Sequence, residues 1–152
     1  MLGSLIPELA EALRGMRGIE RTTVDAWDMK QIVDAVKATG RKNLITTGIS
    51  TDVCLTFPAI AGIADGFQSY AVVDASRGFT QTQFDMGILH TQHADVIPIF
   101  YSNVAVEILA DNAAPEAKAV YGALGIPFSS LIFGLRQYYS QASVDTRENV
   151  GA

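Results

Sequence analysis

Cys54 is the single cysteine among the 152 residues, and it stands in the stretch Asn43-Leu-Ile-Thr-Thr-Gly-Ile-Ser-Thr-Asp-Val-Cys-Leu-Thr-Phe-Pro58. The pattern predicts a buried strand from Asn43 to Gly48, a sharp turn at Ile49-Ser50-Thr51, and a helix that carries Cys54 in its first turn. With Thr51 as N-cap, Cys54 falls at the third helical position. A thiol there meets the positive end of the helix dipole and lies close to unpaired backbone N–H groups. Both favour thiolate, the nucleophilic form. The same N–H groups suit an anion or a developing oxyanion. The bland alternative is that a lone cysteine between Val53 and Leu55 is a small buried hydrophobe.

Other polar residues offer less. His90 and His93 are three apart on one predicted helix, a spacing that suits two metal ligands. A site needs three or more, and no third is evident, so the pair reads as helix-face histidines. Asp25 and Asp28 read as cap residues of a following helix. Asp52 lies in the first turn after Thr51, where an acid suits the dipole but opposes a thiolate.

These residues need elements to position them. The stretch 5–16 has leucines at helical spacing and a proline in its first turn. Ile19–Thr23 is short and β-branched, the composition of a brief strand or an extended link. A helix follows from Asp25 to about Thr39, ended by Gly40. After the Cys54 helix, Gln68–Asp74 and Asp95–Tyr101 read as buried strands with a helix between them from Thr80 to His93. A further helix runs from Asn103 to Ala110. This alternation implies right-handed βαβ units and a parallel α/β sheet, three-layered and Rossmann-like, with helices on both faces. Ligands of such sheets gather at the carboxyl ends of the strands, where Gly48–Cys54, Asp74–Arg77 and Tyr101–Asn103 lie.

Gly48-Ile-Ser-Thr-Asp-Val-Cys-Leu55, followed by Ala59, Gly66 and Val72-Val-Asp-Ala75, resembles the core signature of the isochorismatase-like cysteine hydrolases. That superfamily also holds nicotinamidases and N-carbamoylsarcosine amidases. Arg21-Thr-Thr-Val-Asp-Ala-Trp27 is similar to the segment around the family's catalytic Lys, and the details look most like an uncharacterised hydrolase branch. The resemblance implies hydrolysis of C–N (amide-type) or related bonds of a small molecule through a cysteine nucleophile, Cys54. It puts Arg21 where the catalytic Lys is expected. Arginine keeps the charge but sheds no proton, so an electrostatic role remains open to it and a relay role does not. The resemblance also implies a cis Ile49–Ser50 peptide, with the backbone N–H groups of Ser50 and Cys54 aimed at an oxyanion. A strand ending in the general-base Asp, a helix and a second strand are implied ahead of the matched part. No residue here matches that Asp, so the domain is expected to be N-terminally incomplete and its turnover weak. Two other readings stay open: an inactive relative serving as an oligomeric scaffold or binding module, and a thiol-reactive redox protein.

Composition bounds the rest. The formal charge of −5 argues against a general nucleic-acid or anionic-membrane partner. One cysteine leaves no intrachain disulfide, which fits a reducing, cytoplasmic setting. No apolar run approaches the roughly 20 residues of a membrane span. No cofactor and no metal are expected. The mean hydropathy of +0.22 is high for a small domain and points to association with other copies. The expected division is an α/β domain over 1–110, a helical extension over 111–139 and a flexible polar tail over 140–152. Ile126–Tyr139 is apolar on several faces and reads as a contact in a homo-oligomer, tetramer or octamer by the resemblance, with packing back onto its own domain as the equal alternative.

Overall fold

The computed structural model describes residues 5–16, 18–125 and 127–149, with no side-chain description for Phe128 or for 142–149. In chain order its elements are α1 (Pro7–Ala12), α2 (Lys30–Ala38), β1 (Asn43–Thr46), α3 (Thr56–Ala64), β2 (Gln68–Val72), α4 (Gln81–His93), β3 (Ile97–Ile99), α5 (Tyr101–Leu109), α6 (Ala117–Leu124) and α7 (Pro127–Asn149). The three strands form one sheet in the order β1-β2-β3. β1 and β2 run parallel, with Asn43 opposite Gln68 and Thr46 opposite Ala71. The α/β class is the one expected: parallel strands with helices on both sides.

Two compact units share the chain. The first holds Met1–Ala71 and Ser76–Pro98, the second Val72–Ala75 and Ile99–Ala152. The core of the first unit is built from small and medium residues. Leu55, Ala59 and Ala71 are fully buried with Val96 beside them, and Ile60 and Ile63 pack on this cluster. Small side chains let α3 lie close on β1. In the second unit Asp74 does the work of a helix cap. Its Oδ1 accepts the Tyr101 N–H at 2.9 Å, at the first residue of α5. The Tyr101 hydroxyl donates to the Leu124 carbonyl at 2.8 Å and ties α5 to the end of α6.

The strands are shorter than the sequence suggests, and β1 and β3, expected to be buried, are mostly exposed, with Thr46 the buried residue of β1. β1 leaves the ladder after Thr46, whose hydroxyl donates to the Tyr70 carbonyl at 2.9 Å. β2 ends where Val73–Ala75 winds into a 3-10 turn. β3 stops at Ile99 because Tyr101 already opens α5. Ile19–Thr23 forms no strand and is irregular. Asp25 is a cap, but of the short 3-10 turn Ala26–Asp28: its carboxylate accepts the Trp27 N–H at 2.9 Å. α2 starts only at Lys30 with Met29 before it, so Asp28 does not sit in that helix's first turn. The stretch from 140 to 149, expected as a flexible tail, continues α7. No helix among the described residues is long and apolar enough to cross a membrane.

Candidate active site

The strand end and the cysteine turn meet backbone to backbone. A Cβ at Gly48 would lie 2.8 Å from the Cys54 carbonyl carbon and 2.8 Å from the Leu55 nitrogen. Only glycine permits that approach, so the end of β1 and the cysteine turn are held together by what residue 48 lacks. Ser76 adds a bond from the neighbouring loop, its Oγ accepting the Gly48 N–H at 3.1 Å. The Arg77 carbonyl accepts the Thr51 N–H at 3.0 Å.

The helix start differs from expectation. Thr51 is not the N-cap. Ser50 holds that place without a side-chain cap bond, and Thr51–Leu55 forms a wide, π-helical turn that passes into α3. Thr51 is fully buried, and its hydroxyl has no hydrogen-bond partner among the described residues. The Ser50 carbonyl collects the N–H groups of Cys54 at 2.8 Å and of Val53 and Leu55 at 3.4 Å. Thus the Cys54 N–H, expected unpaired, closes within its own turn. Pro58 has a physical part in the wide turn: it has no N–H to give the Cys54 carbonyl four residues back. The Ile49–Ser50 peptide is cis, as the resemblance implies.

Cys54 is half-buried and reachable. Arg21, 33 residues earlier, places Nη2 3.7 Å from its Sγ. The other guanidinium nitrogen, Nη1, donates to the Thr23 carbonyl and, at 2.7 Å, to the Val24 carbonyl. One end of the fork is therefore clasped by its own loop and the other faces the thiol. This geometry can hold an anionic sulfur or an oxyanion beside a fixed positive charge. Among the described residues no carboxylate is a hydrogen-bond partner of Cys54.

The remaining acids and histidines stand elsewhere. Asp52 packs its backbone against Gly87 of α4, and its Oδ1 is buried without a hydrogen-bond partner. His90 and His93 are exposed on α4. Among the described residues no group of three or more His, Cys, Asp or Glu side chains could hold a metal ion.

Two contributors escaped sequence reasoning. Thr56 is fully buried and donates its hydroxyl to the Thr51 carbonyl at 2.7 Å, with the Gly87 carbonyl at 3.3 Å. Its position one residue past the wide turn gave no composition signal. Asp65 accepts the Trp27 indole N–H at 2.8 Å and pairs with Lys37 at 2.8 Å. These contacts hold its carboxyl below the ordinary range, the Lys37 hydrogen bond most of all and the Trp27 bond next. Trp27 is the only tryptophan, a weak hint that it anchors something.

Fold and site together describe an α/β protein whose candidate site lies at the carboxyl end of a parallel strand. Residues 2–101 match the isochorismatase domain model, and the chain belongs to that family. The YcaC gene product of Escherichia coli, described from its crystal structure as an octameric hydrolase of unknown specificity, aligns with a TM-score of 0.80 and 30% identity over 90% of this chain and 68% of that one. YcaC from Pseudomonas aeruginosa, solved with hexane-2,5-diol and covalent acrylamide, aligns with a TM-score of 0.78 and 32% identity over 91% and 68%. In sequence, the probable hydrolase YcaC of E. coli K12 is 44% identical over 80 residues, 52% of this chain and 38% of that protein. Isochorismatase domain-containing protein 2 of Rattus norvegicus is 25% identical over 83% of this chain and 59% of its own length. The chain thus spans less than two thirds of the curated relatives it matches.

Proposed function

We propose that Cys54 is the nucleophile of a hydrolase acting on C–N (amide-type) or related bonds of a small molecule, with Arg21 as its electrostatic partner. The observation that carries this reading is the 3.7 Å approach of Arg21 Nη2 to Cys54 Sγ across 33 residues of sequence. The covalent acrylamide in the P. aeruginosa relative supports a reactive nucleophile in that protein, since acrylamide is an electrophile that nucleophiles add to at its vinyl carbon; it does not bear on the bond cleaved.

In this reading the sulfur attacks the carbonyl carbon and the carbonyl π pair moves to oxygen. The Ser50 and Cys54 backbone N–H groups and Arg21 hold that oxyanion. The Cys54 N–H would be shared between the Ser50 carbonyl and the substrate. Collapse expels the amine with a proton from solvent and leaves a thioester, which water then hydrolyses. Arg21 stabilises charge throughout and moves no proton. Among the described residues no carboxylate is hydrogen-bonded to Sγ to activate that water, and general-base help is typically worth about 10²–10⁴-fold. The 152 residues alone should therefore acylate faster than they turn over. The test is incubation with a panel of small amides and activated esters, with Cys54→Ala as control. A Cys54-dependent acyl adduct in the intact mass is expected. Hydrolysis or adduct formation that survives Cys54→Ala would overturn the reading.

The second reading is an oligomeric scaffold, and α7 favours it. Leu131, Leu135 and Tyr138, spaced four and three residues apart, are 57%, 43% and 68% exposed. That spacing is a seam of the kind helices use to pack on helices. Of the stretch expected to form an interface, Ile126 lies outside the described residues. The octameric E. coli relative supports a homo-oligomer here, and the α7 seam is the surface we assign to it. Assembly through α7 is compatible with an active or an inactive chain, and the Cys54→Ala comparison separates the two.

A further inference from the structure

The segment from Glu20 to Asp28 crosses α3 with one fixing at each end of the helix. At the start, Arg21 faces Cys54. At the end, the Trp27 indole N–H bonds to Asp65, the residue that follows Ala64. The Trp27 ring also stands edge-on to Phe67, with centroids 5.9 Å apart. Among the described residues, these two are the side-chain hydrogen bonds that tie the segment to other elements.

Its internal bonds make the segment stiff. Arg21 Nη1 is clasped by the Thr23 and Val24 carbonyls. The Thr23 hydroxyl donates to the Asp25 carbonyl at 2.6 Å, and the Asp25 carboxylate caps Trp27. A stiff strap fixed at its far end delivers its near end to one place.

We infer that the Trp27–Asp65 hydrogen bond is the positioning contact that sets Arg21 against Cys54. It acts on the site from the opposite end of α3 through the strap, and Trp27 and Asp65 touch no reacting atom. Lys37 shares Asp65 but is not part of the strap; its role is to keep the carboxylate charged and in place. This inference rests on the proposed reading of Cys54 and Arg21 and adds to it the residues that build their geometry.

The reporter is alkylation of Cys54 by iodoacetamide at pH 7 in the full chain, followed by intact mass; no other cysteine competes. Arg21→Met should slow alkylation, because the charge beside the sulfur is gone. Trp27→Phe keeps an aromatic ring against Phe67 but removes the indole donor, and should slow alkylation roughly fivefold, within the range of coupled neighbours. In the Arg21→Met background the same change should have no further effect. Asp65→Ala should behave as Trp27→Phe, whereas Asp65→Asn, whose side-chain oxygen still accepts the indole N–H, should stay near the wild-type rate. An equal slowing by Trp27→Phe in both backgrounds, or none in the wild type, overturns the strap while leaving the Cys54–Arg21 reading intact. If Arg21→Met itself changes nothing, that reading fails and the strap with it. Thermal melts check folding, and if Trp27→Phe does not fold, the Asp65→Ala and Asp65→Asn pair carries the test.

Discussion

Thr56 Oγ1 donates to the carbonyl of Thr51, five residues back, at 2.7 Å, and has the Gly87 carbonyl within 3.3 Å. One buried hydroxyl thus closes the cysteine turn and ties it to α4. Thr56→Val keeps the shape and removes the donor, while the Thr51 carbonyl still accepts the Thr56 backbone N–H. The expected loss is about 0.5–1.5 kcal/mol of stability, the net worth of one hydrogen bond. Urea unfolding checks it, and Thr56→Ser should recover most of the loss.

Gly87 offers a test in which a general preference reverses. Gly→Ala inside a helix usually gains about 0.5–1 kcal/mol. At Gly87 a Cβ would stand 2.8 Å from Asp52 Cα and 2.9 Å from its nitrogen, backbone atoms that cannot step aside alone. Gly87→Ala should therefore lose about 1–3 kcal/mol, the scale of overpacking. Gly122 in α6 has nothing within 4 Å of such a Cβ, so Gly122→Ala should show the ordinary gain. Opposite signs for the two variants in one denaturation series are the expected result.

Asp65 gives a pH dependence with a definite sign. Its carboxyl lies below the ordinary range because of the Lys37 hydrogen bond first and the Trp27 hydrogen bond second. A depressed folded value means the stabilisation is fully present above the unfolded value and is lost as pH falls through the folded one. The stability difference between wild type and Asp65→Asn should be constant from neutral pH down to the ordinary carboxylate range and shrink below it. A difference that grows on acidification would contradict the assignment.

The α7 seam predicts assembly. Leu131 and Leu135 make little of the chain's own core, being more than two fifths exposed. Replacing both with Ser should leave the circular dichroism of the chain unchanged and reduce the particle mass in light scattering. Unchanged mass would place the contact elsewhere.

Much of this protein was legible in the residues themselves. The alternation of strands and helices, the end of the first strand near Gly48 and the position of Cys54 at a helix start all follow from local patterns, because period and turn chemistry are properties of neighbouring residues. The tertiary structure decided what no window of sequence contains. Arg21 and Cys54 are 33 residues apart and Trp27 and Asp65 are 38 apart, and only packing brings each pair together. In the packed chain Thr51 is buried, Ser50 takes the cap position and the turn through Leu55 is wide. Packing shortened all three strands, because a strand ends where its partner's ladder ends and not where its apolar run does.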